Sequence, residues 1–140
     1  MRRHARAPSA VPLELGRHGK LFAEPHAMST PEIHEIFERF ADTAAAAESA
    51  GFDGVEIHAA QGYLISQFLS PLTNRRNDEW GGSLENRARL LLAVVRAVRA
   101  RVGAGFSVAV KINCSLSPLA RSVPSSCALE RLRYAPKPRL

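Results

Sequence analysis

At 140 residues with a formal charge of +6, the chain is long enough for one modest domain with a buried core and too short for two. Its two cysteines, Cys114 and Cys127, form neither a disulfide framework nor a zinc-ligand spacing, no apolar run is long enough to cross a membrane, and "MRRHARAPSAVPL" lacks the apolar stretch of a secretory signal, so a cytoplasmic protein without a membrane partner is expected. The basic excess lies at the ends: residues 7–114 carry eleven basic and twelve acidic side chains, which argues against a nucleic-acid partner.

Residues 1–28 read as an N-terminal loop segment, because Pro8, Pro12, Gly16, Gly19 and Pro25 interrupt any periodic pattern. A helix is expected to start at Ser29 and Thr30, with Pro31 in the first turn and Glu32 three residues after the cap. Ile33, Ile36, Phe37, Phe40, Ala44 and Ala47 then draw one apolar stripe, and Gly51 can end the helix. "FDGVEIH", residues 52–58, reads as a strand. A brief segment from Tyr63 to Leu69 and the polar loop "SPLTNRRNDEWGG" follow. Ser83 caps a second helix, whose stripe is read as Leu84, Ala88, Leu91, Val95, Val98 and Val102, and Gly103 closes it. "FSVAVKIN", residues 106–113, reads as the next strand. Helix, strand, helix, strand predicts a parallel sheet covered by helices, since parallel strands need a crossover. Residues 115–140 are Ser-, Pro- and Arg-rich without periodicity and read as a disordered or non-native tail.

Alternation along the strands singles out the chemistry. Val55 and Ile57 share one face, as do Val108, Val110 and Ile112, and these aliphatic faces are expected to meet the helices. The opposite faces carry Glu56 and His58, and Ala109, Lys111 and Asn113. His58 reads either as a structural hydrogen-bond donor or as a site residue, because ligands of helix-wrapped parallel sheets collect at the carboxyl ends of strands. Gln61 and Tyr63 favour the site, since an amide and an imidazole can donate to one oxygen while a phenol delivers a proton. Tyr63 alone is equally a half-buried ring on an amphipathic turn. Lys111 reads either as the ion-pair partner of Glu56 or as a fixed cation beside a group that becomes anionic. His4, His18, His26 and His34 share no metal-ligand spacing, and "GGSLENR" is better read as a capped helix start than as a phosphate loop.

The stretch "AGFDGVEIHAAQGYLISQFLSPLTNRRNDEWGGSLENRARLLLAVV", followed by "VKIN", resembles the old yellow enzyme family of flavin oxidoreductases, in its NADH:flavin oxidoreductase branch. With weaker similarity in "APSAVPL" and "STPEI", the resemblance covers roughly residues 7 to 114. It implies an FMN-binding (β/α)8 barrel. A whole barrel needs about 250 residues, so the expected fold is α/β, a partial (β/α)8 TIM barrel of two to three βα units over residues 29–114, with disordered ends. The resemblance further implies that His58 and Gln61 hold a substrate carbonyl oxygen, that Tyr63 protonates the neighbouring carbon, and that Lys111 lies at the N1/O2 edge of FMN. NADH or NADPH would be the reductant and a small activated alkene, an enone or enal, the acceptor. Gln61 departs from the Asn or His that the family generally has there. An inactive remnant, or an interaction fragment of the same family, is the alternative. The change after Cys114 or Ser115 reads as a shifted frame or a gene boundary, which sequencing the surrounding DNA would test.

Overall fold

The computed structural model of the protein describes residues 5–12, 23 and 25–113. The tail expected over 115–140, and most of the loop segment ahead of Pro25, lie outside these residues. The described elements run β1 (Ala5–Ala7), β2 (Pro25–Ala27), α1 (Thr30–Ser49), β3 (Gly54–Ala59), α2 (Leu64–Leu69), α3 (Leu84–Arg101) and β4 (Ser107–Ile112). The fold is α/β, with parallel strands separated by helices.

α1 begins as its sequence directs. The Glu32 carboxylate accepts from the Ser29 amide at 2.8 Å and from the Ser29 hydroxyl at 2.9 Å, and Pro31 sits where no amide donor is needed. These bonds, the Ser29 amide first, hold the Glu32 carboxyl below its usual range. At the other end Gly51 takes a φ of +89°, and the Phe52 amide returns to the Ala47 carbonyl at 3.2 Å. Phe52 therefore still belongs to the helix exit and is 65% exposed, so β3 starts two residues later than the apolar pattern suggests. Gly54 begins it because a Cβ there would sit 2.6 Å from the carbonyl oxygen of Ser107 on the neighbouring strand.

β3 and β4 pair in parallel from Gly54↔Ser107 to Ala59↔Ile112, and α2 and α3 form the crossover between them. α3 starts at Ser83, whose hydroxyl accepts from the Asn86 amide at 3.3 Å. It packs along α1, and both cover one face of the sheet. The core joins Ile33 and Ala44 of α1, Ile57 and Ala59 of β3, Ile65 and Phe68 of α2, and Leu90, Leu91, Val94 and Val98 of α3. Each large apolar side chain buried there contributes about 1.5–3 kcal/mol. An ionic cluster of Arg101 with Glu38 and Asp42 ties the exposed sides of α3 and α1 together.

Three expectations are revised. The buried stripe of α3 runs through Leu90, Leu91, Val94 and Val98, whereas Leu84 is 50% exposed, because the first turn overhangs the core and the helix is wedged between α1 and α2. On β4, Val110 and Ile112 are not covered by a described helix, and each is 37% exposed. Finally, Ala5–Ala7 and Pro25–Ala27 pair as short parallel strands, not loop, with Ala5↔Pro25 and Ala7↔Ala27 in register. Three-residue strands whose pairing is made by backbone alone carry no alternation to read.

Candidate active site

The carboxyl end of β3 leads straight into a tight turn. Ala59 and Ala60 are buried; Gln61 then takes a φ of +57° and Gly62 one of +76°, and Tyr63 caps α2. Two consecutive left-handed residues reverse the chain within one step, at a cost of roughly 1–2 kcal/mol for the non-glycine Gln61. Hydrogen bonds hold the turn: the Tyr63 amide donates to Ala60 O at 3.2 Å, the Gly62 amide to Ser66 Oγ at 3.3 Å, and Gln67 Nε2 to Gly62 O at 2.8 Å.

The turn brings two of the four sequence-selected residues into contact. The His58 and Tyr63 rings lie 4.9 Å apart, tilted by 52°. His58 is half-buried and Tyr63 is 61% exposed. Lys111 stands directly opposite His58 in the parallel register, so both side chains leave the same face of the sheet, the one turned away from α1 and α3. Gln61 sits on the exposed turn between His58 and Tyr63, and its carboxamide makes no hydrogen bond among the described residues. Lys111 and Glu56 make no ion pair with each other or with any described residue. Lys111 therefore has no acidic partner among the described residues.

Behind the turn, the polar loop holds more structure than its composition suggests. Asn74 is 4% exposed and donates to Phe68 O at 2.7 Å and Trp80 O at 2.8 Å, closing the loop onto α2. The Arg76 guanidinium donates to Pro8 O at 3.0 Å, to Met28 O at 2.6 Å and to both oxygens of Asp78. Its hydrogen bonds hold the Asp78 carboxyl below its ordinary value of 3.8. Arg76 thereby fastens β1, the entry to α1 and the loop after α2 into one unit. Between this unit and the turn lies a cleft of about 410 Å³, lined by Arg6, Pro8, Ser9, Tyr63, Gln67 and Thr73 among others. The buried Gln67 Oε1 on its wall receives no hydrogen bond. Sequence reasoning passed over Gln67, Asn74 and Arg76. The i, i+2 spacing of Arg76 and Asp78 was the available signal, but nothing local marks Pro8 or Met28 as acceptors.

A histidine, an amide and a phenol thus stand at one strand end, with a lysine in register on the next strand. The chain belongs to the NADH:flavin oxidoreductase / NADH oxidase family, whose model matches residues 2–130. It is 44% identical over 131 residues to the NADH-dependent flavin oxidoreductase nadA of Aspergillus parasiticus, covering 90% of this chain and 30% of that protein. It is 48% identical over 104 residues to 12-oxophytodienoate reductase 7 of Oryza sativa subsp. japonica, covering 74% of this chain and 26% of that one. Among solved structures, a 2-naphthoyl-CoA reductase in complex with 2-naphthoyl-CoA superposes with a TM-score of 0.71 at 36% identity, over 76% of this chain and 16% of that one. The chain thus spans less than a third of the length of these relatives.

Proposed function

We propose that this chain carries the substrate-facing edge of an FMN-dependent NAD(P)H oxidoreductase that reduces small activated alkenes such as enones and enals. β3, the α2/α3 crossover and β4 are read as adjoining units of a (β/α)8 barrel, with residues 29–114 as the barrel part and 1–28 as the segment leading into it. The observation that carries the reading is the pairing of His58, in ring contact with Tyr63, opposite an ammonium, that of Lys111, which no described acid neutralises. An acid pairing Lys111 would have supported a purely structural role. Its absence among the described residues supports a cation kept for something else.

The donor set fits one edge of FMN. Lys111 would hold the N1/O2 edge, where a fixed ammonium favours negative charge. When bound, FMN supplies a hydride obtained from NADH or NADPH. His58 Nε2 or Nδ1 and the Gln61 carboxamide donate hydrogen bonds to a substrate carbonyl oxygen and draw electron density from the conjugated double bond. The Tyr63 hydroxyl, on the exposed side of the turn, gives its proton to the carbon beside that carbonyl. Gln61 reaches one methylene further than Asn, and a displacement of about 1 Å at such a contact can cost of order a hundredfold in rate. The acceptor is therefore expected to differ in shape from one suited to an asparagine at this position.

A titration of the purified chain with FMN tests the reading. Bound flavin should change its visible spectrum and raise the melting temperature as a ligand of the native state does. A chain that leaves the spectrum of added FMN unchanged and retains no colour once free flavin is removed, with an unmoved melt, contradicts the reading for this polypeptide.

A further inference from the structure

Gly62 is the pivot of the strand-end turn, and side chains hold both of its backbone groups. Its carbonyl accepts from Gln67 Nε2 at 2.8 Å and its amide donates to Ser66 Oγ at 3.3 Å, while neither group pairs with another backbone group. The cause is local. Gln61 and Gly62 are both left-handed, at φ of +57° and +76°, so the peptide between β3 and α2 belongs to neither regular ladder. Gln67 reaches this turn twice, because its backbone amide also donates to Tyr63 O at 2.8 Å. Two donors of one residue thus hold consecutive carbonyls. Gln67 is itself fixed: Ile65 and Phe68 on either side are buried in the core, and its own carbonyl accepts from Thr73 Oγ1 at 2.8 Å. Asn74, the next residue, anchors Phe68 O in the same way at 2.7 Å.

We propose that Gln67 is a positioning residue of the site: by clamping the Gly62 carbonyl, its carboxamide sets where the Tyr63 ring stands against His58. The proposal rests on the reading of His58 and Tyr63 as residues that meet the substrate. Tyr63 is 61% exposed, so burial does not fix its ring, and the backbone beneath it must. Without the clamp, that backbone is left with Tyr63 N to Ala60 O at 3.2 Å and Gly62 N to Ser66 Oγ at 3.3 Å, both at the long end for such bonds. A loosened turn would let the phenol drift, and a displacement of about 1 Å at a reacting group can cost of order a hundredfold in rate. Gln67 acts through the backbone of residues 62 and 63, not by contact with the reacting atoms.

NMR of the whole chain in flavin-free buffer tests this. Nuclear Overhauser cross-peaks between the ring protons of His58 and Tyr63 should be present in the unsubstituted chain, whose rings lie 4.9 Å apart. Gln67→Met removes the donor at a similar side-chain length, and Gln67→Glu keeps the shape but offers only acceptors when ionised. Both variants should fold by far-UV circular dichroism, and both should lose the cross-peaks. Val98→Ala, at a buried position near the end of α3 that leads into β4, should lower the melting temperature and keep them. Cross-peaks that survive in either folded Gln67 variant overturn the proposal. So does their absence from the unsubstituted chain, or their loss in Val98→Ala, which would tie the contact to overall stability. Failure of both Gln67 variants to fold would assign the residue to the fold as a whole and overturn it too. Because no flavin is present, the outcome is separate from the FMN titration: the flavin reading can fail with the ring contact intact, and the clamp can fail in a chain that binds FMN.

Discussion

Gln61 is the most informative single residue. Its φ of +57° lies where L side chains are strained, and in the sequence it falls between His58 and Tyr63, whose rings are in contact. Replacing it with glycine removes the strain but gives the unfolded chain more freedom. The balance predicts that Gln61→Gly stabilises the fold by about 0.5–1 kcal/mol in urea denaturation, while removing a proposed carbonyl-binding amide. Stability and function then move in opposite directions, as expected where strain is kept at a site. The Arg76–Asp78 pair makes the second residue-scale prediction. The Asp78 carboxyl is depressed in the folded state, so the stability it contributes is present above 3.8 and lost as pH falls below that value toward its folded pKa. Glu32 and Glu85 are lowered too and act in the same direction. Unfolding free energy measured between pH 5 and pH 2.5 should therefore fall, and Asp78→Asn should flatten part of that fall while lowering stability at neutral pH. The residue types at the site were legible in the sequence because "IHAAQGY" places polar groups just after an apolar strand. The turn conformation was not, since Gln gives no left-handed signal of the kind Gly or Asn would.

At the scale of elements, what was legible depended on periodicity. α1 was readable from its caps and its three- and four-residue apolar spacing, and its observed bounds, Thr30–Ser49, agree with that reading. α3 was readable as a helix but not in its facing. An arginine-punctuated run of Leu, Ala and Val supports two neighbouring stripes, and only packing against α1 and α2 decides between them. That decision can be measured. Leu90 is fully buried, so Leu90→Ala should cost about 2–5 kcal/mol. Leu84→Ala, at a half-exposed position that the sequence pattern had counted as core, should stay within about 0.5 kcal/mol. Equal losses at the two positions would mean that α3 is rotated from the arrangement described here. β1 and β2 were not legible at all. Their pairing is secured by Arg76, which lies 48 residues beyond Met28 and 68 beyond Pro8, and no local pattern encodes such a tie.

At the scale of the molecule, β3 packs one face beneath α1 and α3, while no described residue covers the opposite face of the sheet, which carries Glu56, His58 and Lys111. No helix among the described residues is long and apolar enough to cross a membrane. Charge is unevenly spread along the chain: residues 7–114 are nearly neutral, and the net positive charge belongs to the ends. The family was legible because its residues cluster in one ungapped stretch around the strand end and the crossover. The uncovered side of β4 was not, because an alternating strand reads the same whether or not a helix lies over it. Under the proposed function, the sheet face that carries His58 and Lys111 and the strand-end turn receive the flavin. Mapping backbone amide shifts by NMR as FMN is added tests it most directly. The account predicts the largest changes at His58, Gln61 to Tyr63 and Lys111; changes confined to α1 and α3, or none at saturating FMN, would contradict it.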